Sequence, residues 1–92
     1  MRIELIRRFL DAAGKLPADE ARAVDEALAT LVATFGRPHQ HVGKSVRYLR
    51  EDLFELRASR SLRVIFVRAG SVLRMDFVGD HDAVADYLRN RR

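Results

Sequence analysis

The chain has 92 residues, enough for one domain spanning 1–92, and a chain this short buries only about 60–65% of the surface it exposes when unfolded. Hydrophobic residues make up 48% and charged residues 33%, which argues against a disordered chain, and the absence of cysteine excludes a disulfide framework, a thiolate metal site and a cysteine nucleophile. The net charge of +4 is uneven: residues 1–36 carry five basic and six acidic side chains, whereas residues 37–92 carry twelve and seven, so the second part suits a polyanionic partner unless it only reflects free use of arginine.

Met1-Arg2-Ile3-Glu4-Leu5 alternates weakly and predicts a short strand. It lacks the long apolar stretch of a secretory signal, so a cytoplasmic location is expected. Ile6, Phe9, Leu10 and Ala13 fall at helical spacing, with Gly14 as a stop. Leu16-Pro17 breaks the chain before a second helix, with Pro17 in its first turn and Asp19 and Glu20 at the positive end of its dipole. Val24, Ala27, Leu28, Leu31, Val32 and Phe35 form its apolar stripe, and Gly36 and Pro38 end it. The two helices predict a hairpin whose apolar stripe needs a partner surface.

Residues 36–52 read as a basic loop with two glycines, and a loop of this length is often functional. His39 and His41 lie in it, but metal sites need three or four positioned groups. They are read as polar loop residues and no metal is expected.

Residues 53–78 predict three strands. Phe54, Leu56 and Ala58, then Leu62, Val64 and Phe66, then Leu73, Met75 and Phe77 alternate with polar or smaller residues. Breaks at 59–61 and 69–70 fit short hairpins, so an antiparallel meander is expected with one apolar face for the helix pair to cover. Asp80 is a good N-cap for a final helix through Val84, Tyr87 and Leu88, with Arg89, Arg91 and Arg92 near its end. No apolar run approaches the roughly 20 residues of a membrane span, and no membrane partner is expected. The fold class that follows is α+β: a helical hairpin packed on a small antiparallel meander, with a short C-terminal helix.

The loop lengths place Arg57 opposite Arg63, Arg63 opposite Asp76, and Ile65 opposite Arg74. The face away from the core then carries Glu55, Arg57, Arg63, Ile65, Arg74 and Asp76. A like-charge pair directly across two strands costs about 0.2 kcal/mol or more unless an anion lies between its members. Glu55 and Asp76 are internal candidates. An external phosphate is the other, because arginine forks match phosphate geometry. His81, after the third strand, is of a residue type suited to acid–base chemistry, or is a surface residue at a helix start. Tyr87 suits a nucleobase or phosphate, or packs with Val84 and Leu88. No serine sits in a nucleophile elbow.

The order of these segments carries a resemblance. A helical hairpin and basic loop lead into Leu53-Phe54-Glu55-Leu56-Arg57, then Leu62-Arg63-Val64-Ile65-Phe66, then Val78-Gly79-Asp80-His81-Asp82. Over roughly residues 7–90 this resembles the RelE/ParE superfamily of type II toxin–antitoxin toxins. The resemblance implies a cytoplasmic toxin that cleaves messenger RNA on the ribosome without metal or cofactor, by attack of a 2′-hydroxyl on the adjacent phosphate. It implies a cognate antitoxin as partner. By position, Arg63 would contact the scissile phosphate and Arg57 would be its basic neighbour. His81 and Tyr87 would complete the catalytic set, with Glu55 as a candidate base. Lys44, Arg47, Arg50 and Arg74 would bind substrate. Leu62 stands where the family has a tyrosine, and the paired lysines of the prototype nuclease are missing. Two alternatives therefore stay open: a ParE-like inhibitor of DNA gyrase, and a nontoxic binding member of the fold.

Overall fold

The computed structural model describes residues 2–35 and 46–91. Its elements are β1 (Arg2–Leu5), α1 (Arg7–Ala13), α2 (Ala18–Thr34), β2 (Val46–Arg50), β3 (Leu53–Arg57), β4 (Arg63–Ala69), β5 (Val72–Gly79) and α3 (His81–Asn90). The α+β class and the two N-terminal helices follow the expectation. Gly14 closes α1 with its N–H on the Leu10 carbonyl at 2.9 Å. Pro17 is the N-cap of α2, one residue before the helix, where its missing N–H costs nothing. Gly36, Pro38, His39 and His41 lie outside the described residues.

The sheet differs from a three-stranded meander. It has five strands in the order β1-β5-β4-β3-β2. The weakly alternating start is a real strand, and it runs parallel to β5. The second half of the expected loop is also a strand: β2 pairs antiparallel with β3, with Tyr48 opposite Phe54. Its apolar side is legible only beside β3, because an edge strand leaves much of its own surface in water.

Arg57 does lie opposite Arg63. The β4–β5 register does not follow the expectation. Gly70 and Ser71 make the turn, with Ala69 opposite Val72, and Gly70 takes the left-handed φ of 62° that glycine adopts without strain. Phe66 then faces Met75 but Ile65 faces Phe77, so Asp76 is the extra residue of a β-bulge. Gly79, not Asp76, ends up opposite Arg63, and Val67, not Ile65, opposite Arg74.

The bulge reverses which face each later residue of β5 meets. Leu73, Met75 and Val78 join Phe9, Val24, Leu31, Leu56, Leu62, Val64 and Phe66 in the core under α1 and α2. Phe77, expected on that face, is on the other one. There it joins Leu53, Ile65 and Val84 in a second apolar cluster with Tyr87 and Leu88. The second face is therefore not an open polar surface: α3 covers part of it. On the first face Phe54 and Phe66 stack at 5.3 Å, and Phe35 meets both edge-on, a geometry that adds about 0.5–1.5 kcal/mol per pair to the area buried.

Candidate nucleic-acid interface

Four of the expected site residues collect at one end of the sheet, on the α3 side. Arg57 and Arg63 are cross-strand partners, and Arg47 is the partner of Glu55 on the next strand pair. Side chains of directly opposed residues share a face. Glu55 Oε1 lies 3.8 Å from Arg63 Nε and 3.6 Å from Arg47 Nη2. Both are loose ion pairs rather than hydrogen bonds. Arg63 Nη1 donates to the carbonyls of Ser59, Arg60 and Leu62 at 3.2–3.3 Å, which ties the guanidinium to the 59–61 turn. Arg57 is exposed. His81 is the first residue of α3, two positions beyond Gly79, and is also exposed. Its helix starts there because Asp80 Oδ1 accepts the Ala83 N–H at 2.8 Å.

The register settles which internal anion serves the arginines. Asp76 was one of two candidates, and the β4–β5 register, set by the turn and the bulge together, puts Gly79 opposite Arg63 in its place. Glu55 remains, one carboxylate among Arg47, Arg57 and Arg63. Glu55, Arg47, Arg57 and Arg63 together carry an excess of two positive charges, with Arg47 and Arg57 exposed and Arg63 largely buried, while Asp80 and Asp82 follow Gly79 at the same end.

Tyr87 and Arg74 are not part of this group. They build a second cluster around Asp76, which is 0% exposed. Arg74 holds it in a fork, Nε to Oδ1 at 2.8 Å and Nη2 to Oδ2 at 3.3 Å. Arg91 Nη1 donates to Oδ2 at 2.8 Å and to the Tyr87 hydroxyl at 3.0 Å. The Tyr87 hydroxyl donates to Oδ2 at 3.2 Å and accepts from Arg8 Nη1 at 3.2 Å. Its ring stacks on Phe77 at 4.7 Å, and the Arg8 guanidinium lies over it at 5.5 Å. Burial pushes the Asp76 carboxyl up, but the hydrogen bond and charge of Arg74, the charge of Arg91 and the Tyr87 hydroxyl outweigh it and hold the group below the usual carboxylate range. The hydrogen bond to Asp76 in turn raises Arg74.

Arg50 is at the far end of β2, in a shallow cleft with Glu51, Asp52, Leu53, Val67 and Arg91, away from Arg57 and Arg63. Lys44 lies outside the described residues. The sequence reading missed Asp76 as an anchor, along with Arg91 and Arg8. One signal was available: an aspartate inside the apolar strand Val72–Gly79 is a poor strand former that needs charged partners if buried. Among the described residues no three His, Asp or Glu side chains group as metal ligands, and no helix is long and apolar enough to cross a membrane.

No family model matches the chain, and no curated protein matches it in sequence. Solved structures do match. A chain of the RelB–RelE antitoxin–toxin complex from Methanococcus jannaschii aligns with a TM-score of 0.70 at 8% identity, over 91% of this chain and 96% of that one. The chain has the RelE-type toxin fold. YafQ from Escherichia coli BL21(DE3) aligns at TM-score 0.66 and 18% identity, over 91% and 98% of the two chains. A YoeB/ParE toxin from Agrobacterium tumefaciens aligns at 0.66 and 15%, over 88% and 99%. At these identities the likeness is one of fold.

Proposed function

We propose that the chain is the toxin of a type II toxin–antitoxin pair and that it cleaves messenger RNA at the ribosome as a metal-independent endoribonuclease. The RelE-type fold supports the toxin reading. The observation that carries the nuclease reading is the Arg57–Arg63 cross-strand pair, with Arg47 beside it and Glu55 paired loosely with Arg47 and Arg63 but not with Arg57. An RNA phosphate supplies the missing negative charge, and arginine binds it through paired N–H donors.

In the reaction the 2′-oxygen bonds to phosphorus and the bond to the 5′-oxygen breaks, leaving a cyclic phosphate and a free 5′-hydroxyl. One proton leaves the 2′-hydroxyl and one arrives at the 5′-oxygen. His81, exposed at the start of α3, carries one transfer, worth about 10²–10⁴-fold, and water carries the other. Arg57 and Arg63 stabilise the phosphorane charge. Glu55 holds Arg63 and Arg47 in place. Tyr87 has its hydroxyl committed to Asp76 and serves the fold. The antitoxin is a separate chain, in keeping with the solved RelB–RelE and DinJ–YafQ complexes, and the basic end is a surface for it to cover.

The test is inducible expression in a bacterial host with primer extension on an abundant messenger. Growth arrest with new 5′ ends inside the reading frame is expected. Arg57→Ala removes an exposed guanidinium and should lower cleavage about 10²-fold with an unchanged melting temperature. Arrest with intact messenger and inhibited supercoiling would move the chain to the gyrase-inhibitor class. Absence of arrest would leave a binding member of the fold.

A further inference from the structure

Asp76 takes no part in the chemistry proposed above, yet it gathers more polar contacts than any other buried side chain. It is the extra residue of the β5 bulge, 0% exposed, and held by Arg74 from its own strand. Its Oδ2 receives Tyr87 and Arg91 from α3 and the residue after it. Among the described residues, these are the hydrogen bonds that join this last segment to the sheet. The Asp80 cap is internal to the helix. The apolar anchorage is Val84, which is buried, with Tyr87 stacked on Phe77 and Leu88 packed beside them.

We propose that Asp76 is a positioning residue for His81: by fixing the far end of α3 it sets where the near end presents the imidazole beside Arg57 and Arg63. The helix leaves the sheet at Gly79, opposite Arg63, and returns over β5 so that Tyr87 lies on Phe77. One end is set by the chain and the other by the carboxylate together with the Phe77–Tyr87 stack. Because the near end is tied to β5 at Gly79, releasing the clamp pivots the helix there, and a tilt of about 10° turns a His81 side chain that reaches about 6 Å from the axis by about 1 Å. A displacement of about 1 Å in a reacting group can cost about 10²-fold in rate. The bulge serves the same helix, since it turns Phe77 to the α3 side, where its ring stacks on Tyr87.

The rate arm of the test rests on the nuclease reading, and the spectroscopic arm does not. The variant is Asp76→Asn, which keeps the shape and removes the charge, with Arg91→Gln as a second in case Asp76→Asn does not fold. Three quantities are measured on the full chain: the His81 imidazole NMR signals, the single-turnover cleavage rate on ribosomes carrying a defined messenger, and the Kd for an RNA with a 2′-deoxy at the cut site. The expected result is a folded variant with displaced His81 signals. Cleavage should fall about 10–100-fold and Kd should change less than about threefold, and Arg91→Lys, which keeps a cation near Asp76, should recover part of the rate. Wild-type His81 signals in either folded variant would overturn the proposal. So would a loss confined to Kd. Wild-type protein that cleaves no RNA would defeat the nuclease reading alone, and the His81 signals would still decide whether Asp76 positions the helix.

Discussion

At the scale of single residues, two carboxylates divide the work. Glu55 sits between arginines at ion-pair rather than hydrogen-bond distance and leaves positive charge unbalanced. Asp76 is buried and fully engaged. Removing it as Asp76→Ala strands the Arg74 and Arg91 guanidiniums, and breaking a buried pair costs about 3–5 kcal/mol. The low end is expected, because both arginines keep contact with water. Chemical denaturation at pH 7 measures this. The same carboxyl gives the fold an acid limit. Its folded-state pKa is depressed, so its contribution is fully present above the unfolded value near about 3.9 and is lost as pH falls through the folded value. Melting temperatures from pH 7 to pH 2 should therefore drop below about pH 4, and Asp76→Asn should flatten that drop. An equally steep acid loss in the variant would place the effect on other groups.

At the scale of elements, the join between β5 and α3 is the sensitive one. A Cβ built on Gly79 would lie 2.9 Å from the Ala83 Cβ and 3.1 Å from the Phe77 ring. Neither neighbour is the far end of a flexible chain, so α3 itself must move. Gly79→Ala is expected to cost about 1–3 kcal/mol as an overpacked contact, read as a lower denaturation midpoint. Because α3 begins two residues later with His81, the same variant should shift the His81 NMR signals. An unchanged midpoint with unchanged signals would mean that the helix does not pack as closely as described. The bulge explains why β5 resisted reading by alternation: one added residue flips Phe77 to the α3 side and Val78 to the core side.

For the whole molecule, the distribution of charge matters more than its sum. The first 36 residues are nearly neutral and supply the hairpin. The remainder supplies the sheet end where Arg47, Arg57 and Arg63 gather. Binding of a non-cleavable single-stranded RNA should weaken with salt, each neutralised phosphate adding about 0.7 to the log–log slope. Arg57→Ala should reduce that slope by about 0.7, while Arg50→Ala, at the other end of β2, should leave it unchanged. Equal reductions from both would spread the RNA over a larger surface than the one described.

Much of this protein is written locally in its sequence. Helical spacing at Phe9 and from Val24 to Leu31, the turn at 59–61 and the N-cap at Asp80 each depend on neighbours within a few residues. They place the hairpin, the Arg57–Arg63 pair and the start of α3 at His81. Contacts between distant segments decided the rest. The parallel pairing of β1 with β5 and the addition of β2 are long-range, and no periodicity within 2–5 or 46–50 encodes them. The bulge at Asp76 turns Phe77 onto Tyr87, and the partners of the Asp76 carboxylate, Arg74, Tyr87 and Arg91, converge only once α3 has folded back over the sheet. That convergence engages Tyr87 and Arg74 with Asp76, since a buried charge left unpaired is costly.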